Sequence, residues 1–248
     1  MPPEGVADAR MLDIIIPVLN EEMILDERQT YYRMLGRNAN LVFVDGGSID
    51  MTVTRARRFG EVLQTRPGRA YQKNYGVQVT DGDFLLFLNV DSFISEEMIH
   101  QTADAFRHGA QAGCYTMHIR HPGAMFRLYE WVVNHRAVRH GIIDADLGMF
   151  IRRDVFEALH GFDRLIIMDD IVFSKRLRRH YPITVLNSRI EVSARKWDER
   201  GFMATFGQYS LAYLQLWTGI PFFKDRYQNY DPFQRVDHLR PGTETRQG

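Results

Sequence analysis

The run Leu41–Asp50, LVFVDGGSID, constrains the fold more than any other stretch of the chain. Leu41, Val42, Phe43 and Val44 are apolar without alternation and run into an acid, two glycines and a serine. A strand buried on both faces reads this way, because helices on both sides of a parallel sheet leave no face for polar residues. Open α/β sheets bind ligands in the crevice beyond the carboxyl ends of such strands. Asp45 either points into that crevice, with Gly46 and Gly47 letting backbone approach a ligand, or caps a helix begun by Ser48 or Asp50. A motif this short does not choose between the two.

Two other stretches repeat the pattern. Leu12, Ile14, Ile15, Ile16 and Val18 form a strand that Pro17 is expected to end, since proline cannot donate within a ladder. Asn20 then either caps a helix carrying Glu21 and Glu22 in its first turn or shapes the wall of the crevice that Asp45 faces. Phe84–Leu88, the most apolar strand, ends in Asn89-Val90-Asp91-Ser92. With period 2, Asn89 and Asp91 project to one side, where an amide oxygen and a carboxylate could reach one hard cation. Ser95 with two following acids caps the helix Glu96–His108, which leaves Asp91 for chemistry.

Between these strands, Met51–Phe59 reads as a short helix and Glu61–Gln64 as a strand. After the Pro67-Gly68 turn a helix places Arg69, Gln72 and Lys73 in its first turn and Asn74 just behind. Cations there oppose the helix dipole, so an anion such as a diphosphate would give them a reason; a solvated turn is the other reading. Further on, Ala112–Ile119 is a strand, Ala124–Val138 an amphipathic helix, and Gly148–Ile151 a strand followed by a helix to His160. His118 and His121 lack further ligands nearby and read as surface residues. Asp169 and Asp170 open a helix on which Asp170, Phe173 and Leu177 share one face, and the helix start favours an ionised Asp170 able to accept a proton. Lys175–His180 is a solvated face, and Ile183–Val192 is strand. Phe202, Phe206, Tyr209, Tyr213, Leu216 and Ile220 form an apolar stripe for core packing, a homodimer or peripheral membrane contact through 202–223.

Composition removes several classes. The 31 basic and 31 acidic residues cancel, leaving no excess charge for a nucleic-acid backbone. Cys114 is the only cysteine, so neither an internal disulfide nor a cysteine-built zinc cage is expected. No apolar run reaches the roughly 18–20 residues needed to span a bilayer. The first ten residues read as a flexible leader without signal-peptide character, and 231–248 as a flexible tail. A cytoplasmic protein is the expectation.

The stretches taken in order, IIPVLNEE, VDGGSID, RPGRAYQKNYG, FLLFLNVDS, GMFIRRDVFEALHGF, MDDIVFSKRL and SARKW, resemble a family 2 glycosyltransferase of the small bacterial type without membrane helices. The resemblance implies an α/β GT-A nucleotide-diphospho-sugar transferase fold, with a mixed, mostly parallel central sheet flanked by helices. It implies one catalytic domain over 11–230, its nucleotide-binding half at about 11–110 and its acceptor half at about 111–230. Pro17, Asn20, Glu21, Asp45, Gly47 and Ser48 would line the nucleoside pocket, and Arg69, Gln72 and Asn74 would lie near the diphosphate. Asn89-Val90-Asp91 stands at the Asp-x-Asp metal motif, with Asp91 as the metal acid for Mn²⁺ or Mg²⁺. Asp169-Asp170 stands at the Glu-Asp pair, with Asp170 as base. Gly148 joins the donor site, and Arg195 with Trp197 resembles the acceptor-side Arg-Trp.

Asn89 and Asp169 each replace the family's acid, and Ser193 stands where the processive signature has Gln, so a polymer synthase is not expected. The implied reaction moves a sugar, with inversion, from a nucleotide-diphosphate sugar, first of all a UDP- or GDP-sugar, to an acceptor hydroxyl. The alternative is a nucleotide-sugar-binding sensor or partner protein without catalysis, which the loss of an acid at Asn89 favours and Asp170 opposes.

Overall fold

The computed structural model describes residues 11–163, 165, 168–194, 207 and 211. The chain runs through β1 (Leu12–Val18), α1 (Glu22–Glu27), α2 (Gln29–Asn38), β2 (Asn40–Asp45), α3 (Thr52–Ala56), β3 (Glu61–Gln64), α4 (Arg69–Val79) and β4 (Phe84–Phe87). It continues with β5 (Ser92–Phe93), α5 (Glu96–Arg107), β6 (Ala112–Ile119), α6 (Ala124–His140), a 3₁₀ turn (Ala145–Leu147), β7 (Met149–Arg152), α7 (Arg153–Ala158), α8 (Asp169–Leu177) and β8 (Ile183–Val192).

The strands form one eight-stranded sheet ordered β3-β2-β1-β4-β7-β6-β8-β5. Pairs β3–β2, β2–β1, β1–β4 and β6–β8 are parallel, whereas β7 runs against both β4 and β6 and β5 against β8. The unbroken apolar runs have the expected cause. Ile15, Val42, Val44, Leu85 and Phe87 pack on one face with α4, α6, α7 and α8. Ile14, Ile16, Leu41, Phe43 and Leu86 pack on the other with α1, α2 and α5. Both faces are covered, so neither has room for polar alternation.

Pro17 does not end β1; it pairs in register with Val44. Ile15 accepts from Leu88 N at 3.2 Å on the β4 side, and Val18 accepts from Gly46 N at 3.0 Å on the β2 side. Main-chain groups alternate sides, so Pro17 faces the β4 side, where the β1–β4 ladder stops at the pair Ile15–Phe87. A missing N–H costs nothing there. Asn20 is no helix cap either. It sits at φ 54°, and α1 starts after Glu21 without a side-chain cap.

Strand β4 is one residue shorter than expected, and Asn89–Ser92 is a turn closed by Ser92 N donating to Asn89 O at 3.1 Å. The period-2 argument for Asn89 and Asp91 therefore fails: they are turn residues. Tyr32 OH donates to Val90 O at 2.7 Å and holds that turn from beneath. The helix expected at Met51–Phe59 covers only Thr52–Ala56. Ser95 caps α5 as expected, accepting from Met98 N.

Candidate active site

Two loops at the carboxyl edge of β1 and β2 are laced together. Asn20 N donates to Ser48 Oγ at 2.8 Å, Ile49 N to Asn20 Oδ1 at 3.0 Å, and Glu21 N to Thr52 Oγ1 at 2.7 Å. Asp50 closes the corner, accepting from Thr52 Oγ1 at 2.5 Å, Thr52 N at 2.9 Å and Glu22 N at 3.3 Å; against desolvation, which raises it, those bonds, the Thr52 hydroxyl first, hold its pKa below the usual carboxylate value. Asp45 is fully buried and accepts from Gly47 N at 3.1 Å, Ser48 N at 3.1 Å and Ser48 Oγ at 2.5 Å. Gly47, at φ 94°, supplies the left-handed residue that turns these amides inward. The carboxylate thus serves its own loop, the local reading of the motif.

Beside this loop, α4 enters the sheet edge. Gln72 donates to Val18 O at 2.9 Å and to Val44 O at 2.7 Å, joining β1 to β2. Asn74 exchanges hydrogen bonds with Phe162 N and O, at 2.9 and 2.8 Å. Both side chains brace the protein. Lys73, not counted among the site residues from sequence, is buried and pairs with Asp169 at 2.5 Å while its Nζ lies 3.9 Å from the Phe162 ring centre. The anion that explains a cation in this first turn is Asp169.

Arg69 donates to Asn89 Oδ1 at 2.7 Å, and Asn89 Nδ2 donates to Asp146 Oδ1 at 2.5 Å. Asp146 belongs to the 3₁₀ turn, whose Ala145 N donates to Asp170 Oδ2. Lys73, Leu88, Asn89, Ala145, Phe162 and Asp170 line one narrow cavity. A roomier cavity of about 500 Å³ opens at the β5–β8 edge between Met23, Arg28, Phe93, Arg120, Glu191 and Ser193.

Asp170 is buried, and its pKa is pushed up to about 6 by desolvation and then by Asp169; Lys73, Arg69 and the Ala145 amide pull it down. Burial therefore outweighs the helix start, which alone would have favoured the ion. A carboxyl titrating nearer neutrality is better matched to taking a proton than an ordinary aspartate.

Comparison with known proteins decides the family. The sequence model for "Glycosyl transferase family 2" matches residues 13–167. The chain belongs to glycosyl transferase family 2. An uncharacterized glycosyltransferase of Haemophilus influenzae is 27% identical over 107 residues, 37% of this chain and 40% of that protein. Among solved structures, glucosyl-3-phosphoglycerate synthase from Mycobacterium tuberculosis, in complex with Mn²⁺, UDP-glucose and phosphoglyceric acid, superposes with TM-score 0.62. It is 19% identical over 89% of this chain and 85% of that one. The mannosyltransferase PcManGT from Pyrobaculum calidifontis, in complex with GDP-Man and Mn²⁺, gives TM-score 0.59 at 17% identity over 73% and 56%. The match thus spans less than two thirds of the Haemophilus protein and of the mannosyltransferase. At these identities the structural likeness concerns the fold: the mixed, mostly parallel sheet is that of the GT-A fold.

A family 2 site would place a divalent ion at Asp91, which is buried in the Asn89–Ser92 turn. Its carboxylate is a hard oxygen donor of the kind that suits Mg²⁺ or Mn²⁺, and Asp146 bonds the neighbouring Asn89 side chain. Among the described residues no group of three His, Cys, Asp or Glu could hold a metal alone, so phosphate oxygens and water would complete the shell.

The structure brings Arg69, Asn89, Asp169 and Asp170 together, sets Asn20, Glu21, Gly47 and Ser48 in the neighbouring loops, and leaves Pro17 and Asp45 in the last residues of β1 and β2. Gly148, at φ 63°, lies against the core, where an added Cβ would stand 3.0 Å from Tyr115 and 3.1 Å from Ile190. Arg195, Trp197 and the stripe 202–223, apart from residues 207 and 211, lie outside the described residues. No described helix is long and apolar enough to cross a membrane. The sequence marked Lys73, with Arg69, as a cation opposing the helix dipole but pointed to a diphosphate, not to its partner Asp169. Nothing in the sequence marked Asp146.

Proposed function

We propose that this chain is an inverting glycosyltransferase that moves a sugar from a nucleotide-diphosphate sugar, UDP- or GDP-linked, to an acceptor hydroxyl. The observation that carries the reading is Asp170: a buried carboxyl with pKa near 6, facing Lys73 and Arg69, within a family 2 chain. In its ionised form it takes the proton of an attacking hydroxyl. Such a base contributes roughly 10²–10⁴-fold.

The ends of β1 and β2 with Pro17 and Asp45, and the laced loops with Asn20, Glu21, Gly47 and Ser48, form the nucleoside side of the site, within a nucleotide-binding half at about 11–110. Residues of about 111–230 form the acceptor half, with Arg195 and Trp197 on the acceptor side. Arg69 meets the negative charge that grows on the leaving diphosphate. A divalent ion held by Asp91 would offset the same charge. Gln72, Asn74 and Gly148 support the site from within the protein, and Asp169 holds Lys73 in place. Bound donors in structural neighbours, GDP-Man in one and UDP-glucose in another, support the donor class. The setting proposed is the cytoplasm, where nucleotide sugars are available.

The test is release of nucleoside diphosphate from a panel of UDP- and GDP-sugars, with and without Mn²⁺ or Mg²⁺, for wild type and Asp170→Asn. Metal-dependent cleavage of one donor, lost in the variant, is expected. Donor binding without cleavage under any condition would overturn catalysis in favour of a binding protein.

A further inference from the structure

Helix α6 is apolar on two opposite sides. Phe126, Val133 and Ala137 point into the core. On the opposite arc of the helix, at spacings of three and four, stand Leu128, Trp131, Val132, His135 and Val138. Leu128, Trp131 and Val138 are 54%, 62% and 64% exposed, and the Trp131 ring stacks on His135 with centres 5.3 Å apart. A surface helix ordinarily turns a polar side away from the core. Here one side is in water, and a contiguous exposed apolar face marks an interaction surface.

Among the described residues, the exposed charges on α6 and beside its C-terminal end are basic. Glu130 is the only acid of α6; it is buried, accepts from Ile119 N and pairs with Arg127 at 2.8 Å. Arg139 and His140 are exposed at the end of the helix, and Arg178, Arg179 and His180 are exposed next to it. Arg178 donates to His140 O at 2.8 Å, which ties the segment carrying Arg139 to that carrying Arg178 and Arg179 in one basic rim.

We infer that this face of α6 docks on an anionic membrane surface. The helix lies in the plane of the interface, with Trp131 and Leu128 among the acyl chains and the cationic rim on lipid phosphates. Its 17 residues rise about 25 Å, short of a bilayer span, which suits lying flat. A second copy of the chain fits the same face less well. In a two-fold contact the basic end of one α6 would face α6 of the other copy, whose one acid, Glu130, is buried, so the rim would go unpaired.

The experiment is co-sedimentation of the full chain with vesicles of phosphatidylcholine alone or of equal parts phosphatidylcholine and phosphatidylglycerol. No nucleotide sugar is present, so the outcome is independent of the transferase reading. Wild type is expected to pellet with the anionic vesicles only, and less at high salt. The double variant Leu128→Glu/Trp131→Glu should bind roughly tenfold more weakly or worse, and Arg139→Glu about fivefold more weakly. If the double variant melts early, Trp131→Phe decides. The blue shift of tryptophan emission on anionic vesicles should shrink in that variant, with Trp197 and Trp217 left to emit, while its binding persists. Absent wild-type binding, equal binding by the charge and apolar variants, or a dimer that Leu128→Glu/Trp131→Glu breaks would each overturn the inference.

Discussion

Asp45 and Asp170 are both buried acids at the same edge of one sheet, yet the protein solvates them in opposite ways. Asp45 receives two amides and a hydroxyl from Gly47 and Ser48. Asp170 receives the amide of Ala145 and shares its surroundings with another carboxylate, Asp169, so its pKa rises to about 6. The first acid organises a loop. The second is kept destabilised as an ion and therefore able to exchange a proton near neutral pH, which is the condition a base requires.

The largest effect expected on this contrast comes from Asp170→Asn. Turnover should fall by roughly 10²–10⁴-fold, while the fold should become more stable at pH 7. The sign follows from linkage. A carboxyl whose folded pKa lies above its unfolded value binds its proton more tightly in the fold, so its ionisation opposes folding above about pH 6 and has no effect below about pH 4. Removing the charge should return on the order of 2–3 kcal/mol at neutral pH. For wild type, kcat/KM should drop as pH falls through about 6, where the base takes its proton. Denaturant melts of both proteins at pH 5 and pH 7.5 check the first claim, and an acid limb displaced well below pH 5 would break the second.

Next in size is Lys73→Met. It strips the buried partner from Asp169, which lies 2.5 Å away, and should cost about 3–5 kcal/mol because a buried charge is left uncompensated. Lys73 also pulls the Asp170 pKa down, so the surviving activity should need a higher pH. Adding Asp169→Asn to Lys73→Met should recover much of the stability. A double-mutant cycle with no coupling would break the picture of a paired support beneath the base.

Asp45→Asn should act in the opposite sense to Asp170→Asn. The amide can still accept from the loop, but one oxygen becomes a donor facing the amides of Gly47 and Ser48. A loss of about 1–3 kcal/mol is expected. Urea melts of the two Asn variants side by side measure the comparison directly: same substitution, same edge, opposite signs. Equal signs would mean that burial alone governs both sites.

Much of this edge was legible in the chain. Non-alternating strands ending in acids gave the covered sheet, because two buried faces leave a pattern that any reader of hydrophobicity can see. What the pattern could not carry was pairing across distance. Lys73 finds Asp169 nearly a hundred positions later, and Asn89 finds Asp146 through a turn whose sequence is unremarked. Pro17 was misjudged for a similar reason. Its tolerance depends on where β4 stops, which is a property of the neighbour and not of the proline. At the far edge of the sheet Asp13 is buried against Arg153 at 2.8 Å, a structural pair with no local signal.

The smallest effect tests whether the Asp45 loop is as self-contained as its bonds imply. Ser48→Ala removes one hydroxyl that donates to Asp45 at 2.5 Å and accepts from Asn20 N at 2.8 Å. Two of Asp45's three donors remain, and the Asn20 amide is exposed enough to turn to water. The cost should therefore be only about 1 kcal/mol, with the cavity around Lys73 and Asp170 undisturbed and the acid limb of the pH profile unmoved. A shift in that limb would mean the two acids are coupled through the sheet edge, and the division between an organising acid and a reacting one would have to be redrawn.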